Sequence, residues 1–135
     1  DLSYGGNYIP NFDNIIILSD SPTFDNYSNV YKIEISATLP SDIINDGLYV
    51  RCKEDGDSYF YGGITHKLKK LFSDRKIPCD KRNLVPIICD SQGIVWVPGF
   101  GVRREEDGIK RSYIAIAKKQ TTNKSNTSFF ITKRK

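Results

Sequence analysis

The sequence is poor in the residues and spacings on which most catalytic sites are built. Its 135 residues include no methionine, one histidine, one tryptophan and three cysteines. Cys52, Cys79 and Cys89 show no CxxC spacing, and with His66 alone they make no recognisable zinc site. An odd number of such cysteines fits reduced thiols in a cytoplasmic protein better than a disulfide scaffold. No apolar run approaches the roughly 20 residues that cross a bilayer, and no N-terminal signal pattern is present, so no membrane partner is expected. Gly62-Gly-Ile-Thr-His-Lys67 has glycines and a lysine, but not the GxxxxGK(S/T) spacing that cradles phosphate. Asp55-Gly-Asp57 starts like a calcium loop, then lacks the further ligands and the closing glutamate. His66 has no nucleophile identifiable beside it, and the basic surroundings of Cys79 do not by themselves make a nucleophile. Neither catalysis nor a bound metal or cofactor is expected of this chain. It opens on Asp1 and has no methionine, so a longer parent protein is expected.

What is present is an ordinary globular composition, 39% hydrophobic, 27% charged and 12% aromatic, enough for one domain with a real core. The charge is unevenly placed. Residues 64–82 carry seven Lys/Arg and two Asp, a local +5, although the whole chain is only +4. Ile64, Leu68, Leu71, Phe72 and Arg75 recur there at helical spacing. Thr65 offers an N-cap and Pro78 stops the run. The pattern predicts a short helix with one apolar stripe and with Lys67, Lys69, Lys70 and Lys76 pointing away from it. A second short helix or turn over residues 78–83 presents Lys81 and Arg82. Such a face either stays solvated and keeps the domain soluble or contacts phosphate, and composition alone leaves both open.

The residues around this stretch stand in a recognisable order. Leu48-Tyr-Val-Arg51 is followed by Gly56-Asp57, by Lys-Leu-Lys-Lys-Leu-Phe and Asp-Arg-Lys-Ile-Pro between Lys67 and Pro78, by Arg82, and by Gly93-Ile-Val-Trp-Val-Pro-Gly99. Over roughly residues 46–102 this order resembles the C-terminal domain of the tRNA(Ile)-lysidine synthetase family. Two positions depart from it. Ser58 stands where the family usually has arginine after its Gly-Asp, and Cys79 where it often has arginine after Lys-Ile-Pro. Contacts made by those arginines elsewhere are not carried over.

The resemblance implies a parent enzyme that uses ATP and free lysine to convert the wobble cytidine of isoleucine tRNA into lysidine. ATP and magnesium would belong to an N-terminal domain, whose Ser-Gly-Gly-x-Asp-Ser loop is absent from this sequence. The C-terminal domain is then expected to hold tRNA(Ile) by its backbone near the acceptor stem, positioning it without reading bases. The residues expected to contact tRNA are Lys67, Lys69, Lys70, Arg75, Lys76, Lys81 and Arg82, with Arg103 and Arg104 as weaker candidates. Gly56 and Asp57 read as turn-formers. The other partners implied are the remaining domains of the parent enzyme, with a homodimer left open. Two rival readings are an interdomain docking or structural module and a generic RNA-binding domain.

Along the chain, residues 1–47 sum to −6 and read as an acidic β segment leading in from a preceding domain. Ile15-Ile-Ile-Leu18 is a buried strand and Val30 to Ser36 an alternating one, with turn chemistry at Asp20-Ser-Pro22 and Asp25-Asn26 between them. Residues 48–118 form the family-like domain. In it Asp55-Gly56 predicts a hairpin between the runs 48–53 and 58–61, and Gly62-Gly63 leads into the basic helix. Asp90-Ser-Gln-Gly93 predicts a second hairpin, Pro86 an edge position or a bulge, and Trp96 a core residue. Pro98-Gly-Phe-Gly101 reads as a turn and Arg111 to Ala117 as a further strand. From Lys118 to Asn126 a polar loop is expected, and residues 119–135 read as a basic tail in which Ser128 to Thr132 could add an edge strand. The first 63 residues sum to −7 and the rest to +11. Short strands, hairpins and one or two short helices predict an α+β fold with an antiparallel, β-rich, sandwich-like core. The resemblance implies the same, similar to a domain of the phenylalanyl-tRNA synthetase β chain.

Overall fold

Period-two alternation along the apolar runs sets the layers of this fold. In the computed structural model, residues 2–9, 12, 14–20, 24, 31–45, 47–103 and 111–119 are described. A four-stranded antiparallel sheet has the order β1 (Gly5–Tyr8), β2 (Ile15–Ser19), β9 (Arg111–Lys119), β3 (Tyr31–Pro40). A second sheet places β7 (Ile87–Asp90) between β4 (Tyr49–Arg51) and β8 (Gly93–Trp96). A separate hairpin pairs β5 (Ser58–Tyr61) with β6 (Ile64–Lys67). The short helices are α1 (Ser41–Asn45), α2 (Leu68–Asp74) and a 3-10 turn over Cys79–Leu84. This is the expected α+β, antiparallel, sandwich-like architecture.

The main core lies between the two larger sheets. Ile16 and Leu18 of β2 and Ile114 and Ile116 of β9 meet Ile88, Val95 and Trp96 of the smaller sheet, with Leu39, Ile43 and Leu48 closing the side. Intervening residues Ile17, Ala115 and Ala117 face the other way and pack on Phe24. The smaller sheet is also covered on its second face, where Ile87, Cys89 and Ile94 pack against Tyr59, Leu68 and Phe72. Such double coverage explains why every residue of β7 is buried. Trp96 is 1% exposed and its indole Nε1–H donates to the Phe100 carbonyl at 3.1 Å, as its apolar setting predicts.

Several local expectations are corrected. The basic helix does not begin at Thr65. Ile64–Lys67 is a strand, α2 starts at Leu68 with Lys67 at the N-cap, and Ile64 is 60% exposed rather than part of the stripe. Gly62 and Gly63, both at positive φ, make the two-residue turn of the β5–β6 hairpin. The hairpin expected at Asp55-Gly56 is absent, because β4 pairs with β7 and β5 with β6. Residues 54–57 still turn, closed by the Asp57 N–H to the Glu54 carbonyl. Of the two readings of Pro86, the edge position is overturned, since β7 is central, while its strand does carry a register irregularity. Pro86 falls just before the first paired residue, where a missing N–H costs no ladder bond, and the register shift comes at Ile88/Cys89. The Asp90–Gly93 hairpin is as expected. The last strand continues to Lys119, past the expected start of the polar loop. The turn expected at Asp20-Ser-Pro22, apart from Asp20 itself, the turn expected at Asp25-Asn26, Arg104, the rest of the polar loop and the strand expected at Ser128 to Thr132 lie outside the described residues.

Candidate nucleic-acid interface

A helix of seven residues is too short to hold itself together in water, so packing must fix α2. Leu68 and Phe72, one turn apart, are fully buried, and each such side chain contributes about 1.5–3 kcal/mol by leaving water. The helix N-terminus is tied back by the Leu68 N–H to the Asp57 carbonyl at 3.0 Å. At the other end the Ile77 N–H bonds the Phe72 carbonyl and the Lys76 N–H bonds the Ser73 carbonyl, a Schellman closure. Its left-handed residue is Lys76, at φ 57°, where glycine would fit without strain. Pro78 follows.

The arginines of this region face inward or lie along its surface. Arg51 makes a bidentate pair with Asp57, which also accepts from the Glu54 N–H, so the 54–57 turn is held by both partners. Burial alone would raise the Asp57 carboxyl. The Arg51 guanidinium and the Glu54 N–H outweigh it and hold the carboxyl below the usual carboxylate range. The same bond pushes the Arg51 guanidinium further towards its charged form. Arg103 forks onto Asp90, a carboxylate only 2% exposed, with one bond at 2.9 Å. Here too burial acts upward, and Arg103 with the Gln92 and Gly93 N–H groups brings the Asp90 carboxyl below its ordinary value. Arg75 donates to the Gly99 carbonyl at 2.9 Å and lies 4.5 Å above the Phe100 ring. Arg82 donates to the Ile77 carbonyl at 2.9 Å and reaches towards Ser73.

The lysines are placed differently. Lys67, Lys69, Lys70, Lys76 and Lys81 are all exposed. Among the described residues, only Lys70 of this set has a carboxylate partner, Asp74 at 3.5 Å, in a pair exposed on both sides. Lys67 and Lys69 line an open groove of about 410 Å³ with Lys53, Asp55, Gly56 and Asp57. Lys67 and Lys70 border a neighbouring one of about 330 Å³. The structure thus brings Lys67, Lys69 and Lys70 together. Lys76 and Lys81 extend the set past the helix end, while Arg75, Arg82 and Arg103 are engaged with the protein itself. Arg104 is outside the described residues. Lys53 joins the cluster although its acidic neighbours Glu54, Asp55 and Asp57 hide it in sequence; only the fold turns it towards Lys67. His66, expected at a helix start, is a strand residue stacked on Tyr61 at 3.9 Å, with Nε2 3.1 Å from the Tyr61 carbonyl.

Comparison with known proteins decides the affiliation. The family described as TilS substrate C-terminal domain matches residues 48–116. The chain belongs to this family. It is 34% identical over 99 residues to a tRNA(Ile)-lysidine synthase of Bacillus anthracis, covering 63% of this chain and 19% of that protein. A Bacillus licheniformis enzyme of the same name is 38% identical over 70 residues, covering 50% of this chain and 14% of the relative. The chain therefore spans about a fifth or less of the curated relatives it matches. A solved structure titled "Crystal structure of TILS C-terminal domain" superposes with a TM-score of 0.61 at 26% identity, covering 89% of this chain and 95% of the other. The match includes α2 and both hairpins, so the lysine face lies within the family domain.

Proposed function

We propose that this chain is the non-catalytic tRNA-holding module of a tRNA(Ile)-lysidine synthase. Lys67, Lys69 and Lys70, supported by Lys53, Lys76 and Lys81, bind the phosphate backbone of tRNA(Ile) near its acceptor stem. Arg75 and Arg82 shape that surface and reach the RNA only through what their internal bonds leave free. ATP, magnesium and lysine act in another domain of the same cytoplasmic enzyme, and this module positions the tRNA for them. The observation that carries the reading is the separation of roles among the cations. The arginines are bonded within the domain, while a set of lysines clustered where β6 meets α2 is left in solvent within a family whose named relatives are tRNA(Ile)-lysidine synthases. Phosphate recognition by lysine needs a solvated point charge and no fixed fork, which suits backbone contacts and not base reading.

The test is titration of the chain with labelled isoleucine tRNA, beside a Lys67→Ala/Lys69→Ala/Lys70→Ala variant shown to be folded by circular dichroism. Wild type should bind at low salt and the variant at least tenfold more weakly. Equal affinity of the two folded proteins would move the contact surface elsewhere. Absence of binding by either would leave interdomain docking as the role of this face.

A further inference from the structure

The β5–β6 hairpin has two faces of different character. Directly opposed residues share a face, so the register puts Tyr59, Tyr61, Ile64 and His66 on one side and Ser58, Phe60, Thr65 and Lys67 on the other. The first side is anchored. Tyr59 is 5% exposed and donates its hydroxyl to the Gly101 carbonyl at 2.7 Å. The Tyr61 ring lies where a Cβ on Gly101 would collide with it. The second side is open. All four of its residues are exposed, and Phe60 leaves 51% of its surface in water.

Phe60 stands one diagonal step from Lys67, about 7–8 Å between Cα atoms in such a ladder. Lys67 also borders the groove it shares with Lys53, Lys69, Asp55, Gly56 and Asp57, three lysines against two carboxylates, of which Asp57 is already paired with Arg51. An exposed ring on a strand beside a cationic groove is how proteins hold unpaired nucleotides: the base stacks on the ring and the phosphate lies among the cations. A duplex offers no such base, because its bases are stacked on one another. We infer that Phe60 and Lys67 form a site for one unpaired nucleotide of the bound RNA, next to the lysine face that takes the duplex backbone. The inference rests on the tRNA-holding reading and adds a single-stranded element to it. The site is sequence-tolerant, since every base has a face to stack.

The experiment uses two RNA hairpins with the same stem, one blunt and one with a short 3′ single-stranded extension carrying 2-aminopurine. Each is titrated at low salt with the chain and with its Phe60→Ala and Phe60→Tyr variants. Wild type should bind the extended hairpin about tenfold tighter than the blunt one, within the range measured for base–aromatic stacking, and quench the 2-aminopurine. Phe60→Ala should bind the blunt hairpin like wild type and lose both the preference and the quench, and Phe60→Tyr should keep both. Equal binding of the two hairpins by wild type, or an undiminished preference in Phe60→Ala, would overturn the nucleotide site while leaving the duplex reading standing. Failure of wild type to bind either hairpin would overturn both.

Discussion

The four-stranded sheet and the region from residue 48 to 103 share the main core but handle polar groups in opposite ways. In the sheet, alternate residues of β2 and β9 feed two apolar layers. Among the described residues, the buried polar one there is Ser112, whose hydroxyl lies 2.9 Å from those of both Tyr4 and Ser41. In the second region, turns are fixed by charge: Arg51 with Asp57 across the 54–57 turn, and Arg103, just past the turn after β8, with Asp90 at the end of β7. A planar guanidinium can satisfy a carboxylate at two points and survive partial burial, which an ammonium does less well. Net charge therefore does not tell which cations the fold ties down. In the basic stretch 64–82, Arg75 and Arg82 donate to backbone carbonyls, Arg75 while itself exposed, and the lysines face the solvent.

The largest break in this comparison should come from Arg103→Ala. It strands the Asp90 carboxylate in an almost fully buried position and should cost about 3–5 kcal/mol, read from urea unfolding. Ile116→Ala in the sheet should cost about 2–5 kcal/mol through cavity formation alone.

The two differ in their response to acid. Asp57 and Asp90 have folded pKa values below their unfolded ones, so the stability they confer is complete above the unfolded value, about pH 4. It is lost as pH falls through the folded values. Urea midpoints should therefore drop more steeply below about pH 4 for wild type and Ile116→Ala than for Asp57→Asn, which lacks one of the two depressed carboxyls.

A smaller effect separates stability from charge. Lys76→Gly relieves the left-handed residue in the Schellman closure and should stabilise the domain by about 1 kcal/mol in the same assay. It also removes one cation, so tRNA affinity should fall while stability rises. Smallest is Asp74→Asn. It frees Lys70 from an exposed pair worth at most about 0.5 kcal/mol and takes an acid from the last turn of α2. Stability should barely move and RNA affinity should rise about twofold.

Much of this architecture is legible from local pattern. The uninterrupted Ile15–Leu18 run, the Asp90–Gly93 turn between two β-prone runs and Trp96 inside an apolar stretch each specify their own environment. Residues 62–67 do not. Ile64 precedes Leu68 and Leu71 at helical spacing, yet Ile-Thr-His-Lys also alternates as a strand, and Gly62-Gly63 fits a tight hairpin turn as well as a helix entry. Pairing with β5 decides between them. The Asp55-Gly56 turn was legible, but its flanking strands find partners elsewhere, β4 across some forty residues in β7, and that choice belongs to the core. The charge of Lys67, Lys69 and Lys70 could be read from the sequence, whereas the place of Lys53 beside them could not. The anchoring of Arg75, Arg82 and Arg103 could not, since their acceptors lie between 5 and 24 residues away and meet them only in the fold.

The central proposal, that Lys67, Lys69 and Lys70 carry the RNA contact, is tested most directly by the salt dependence of tRNA(Ile) binding. Plotted as log affinity against log salt, each phosphate contact contributes about 0.7–0.9 to the slope. The account predicts that the folded Lys67→Ala/Lys69→Ala/Lys70→Ala variant has a slope shallower than wild type by about 2 to 3 units. An unchanged slope in that variant would contradict it.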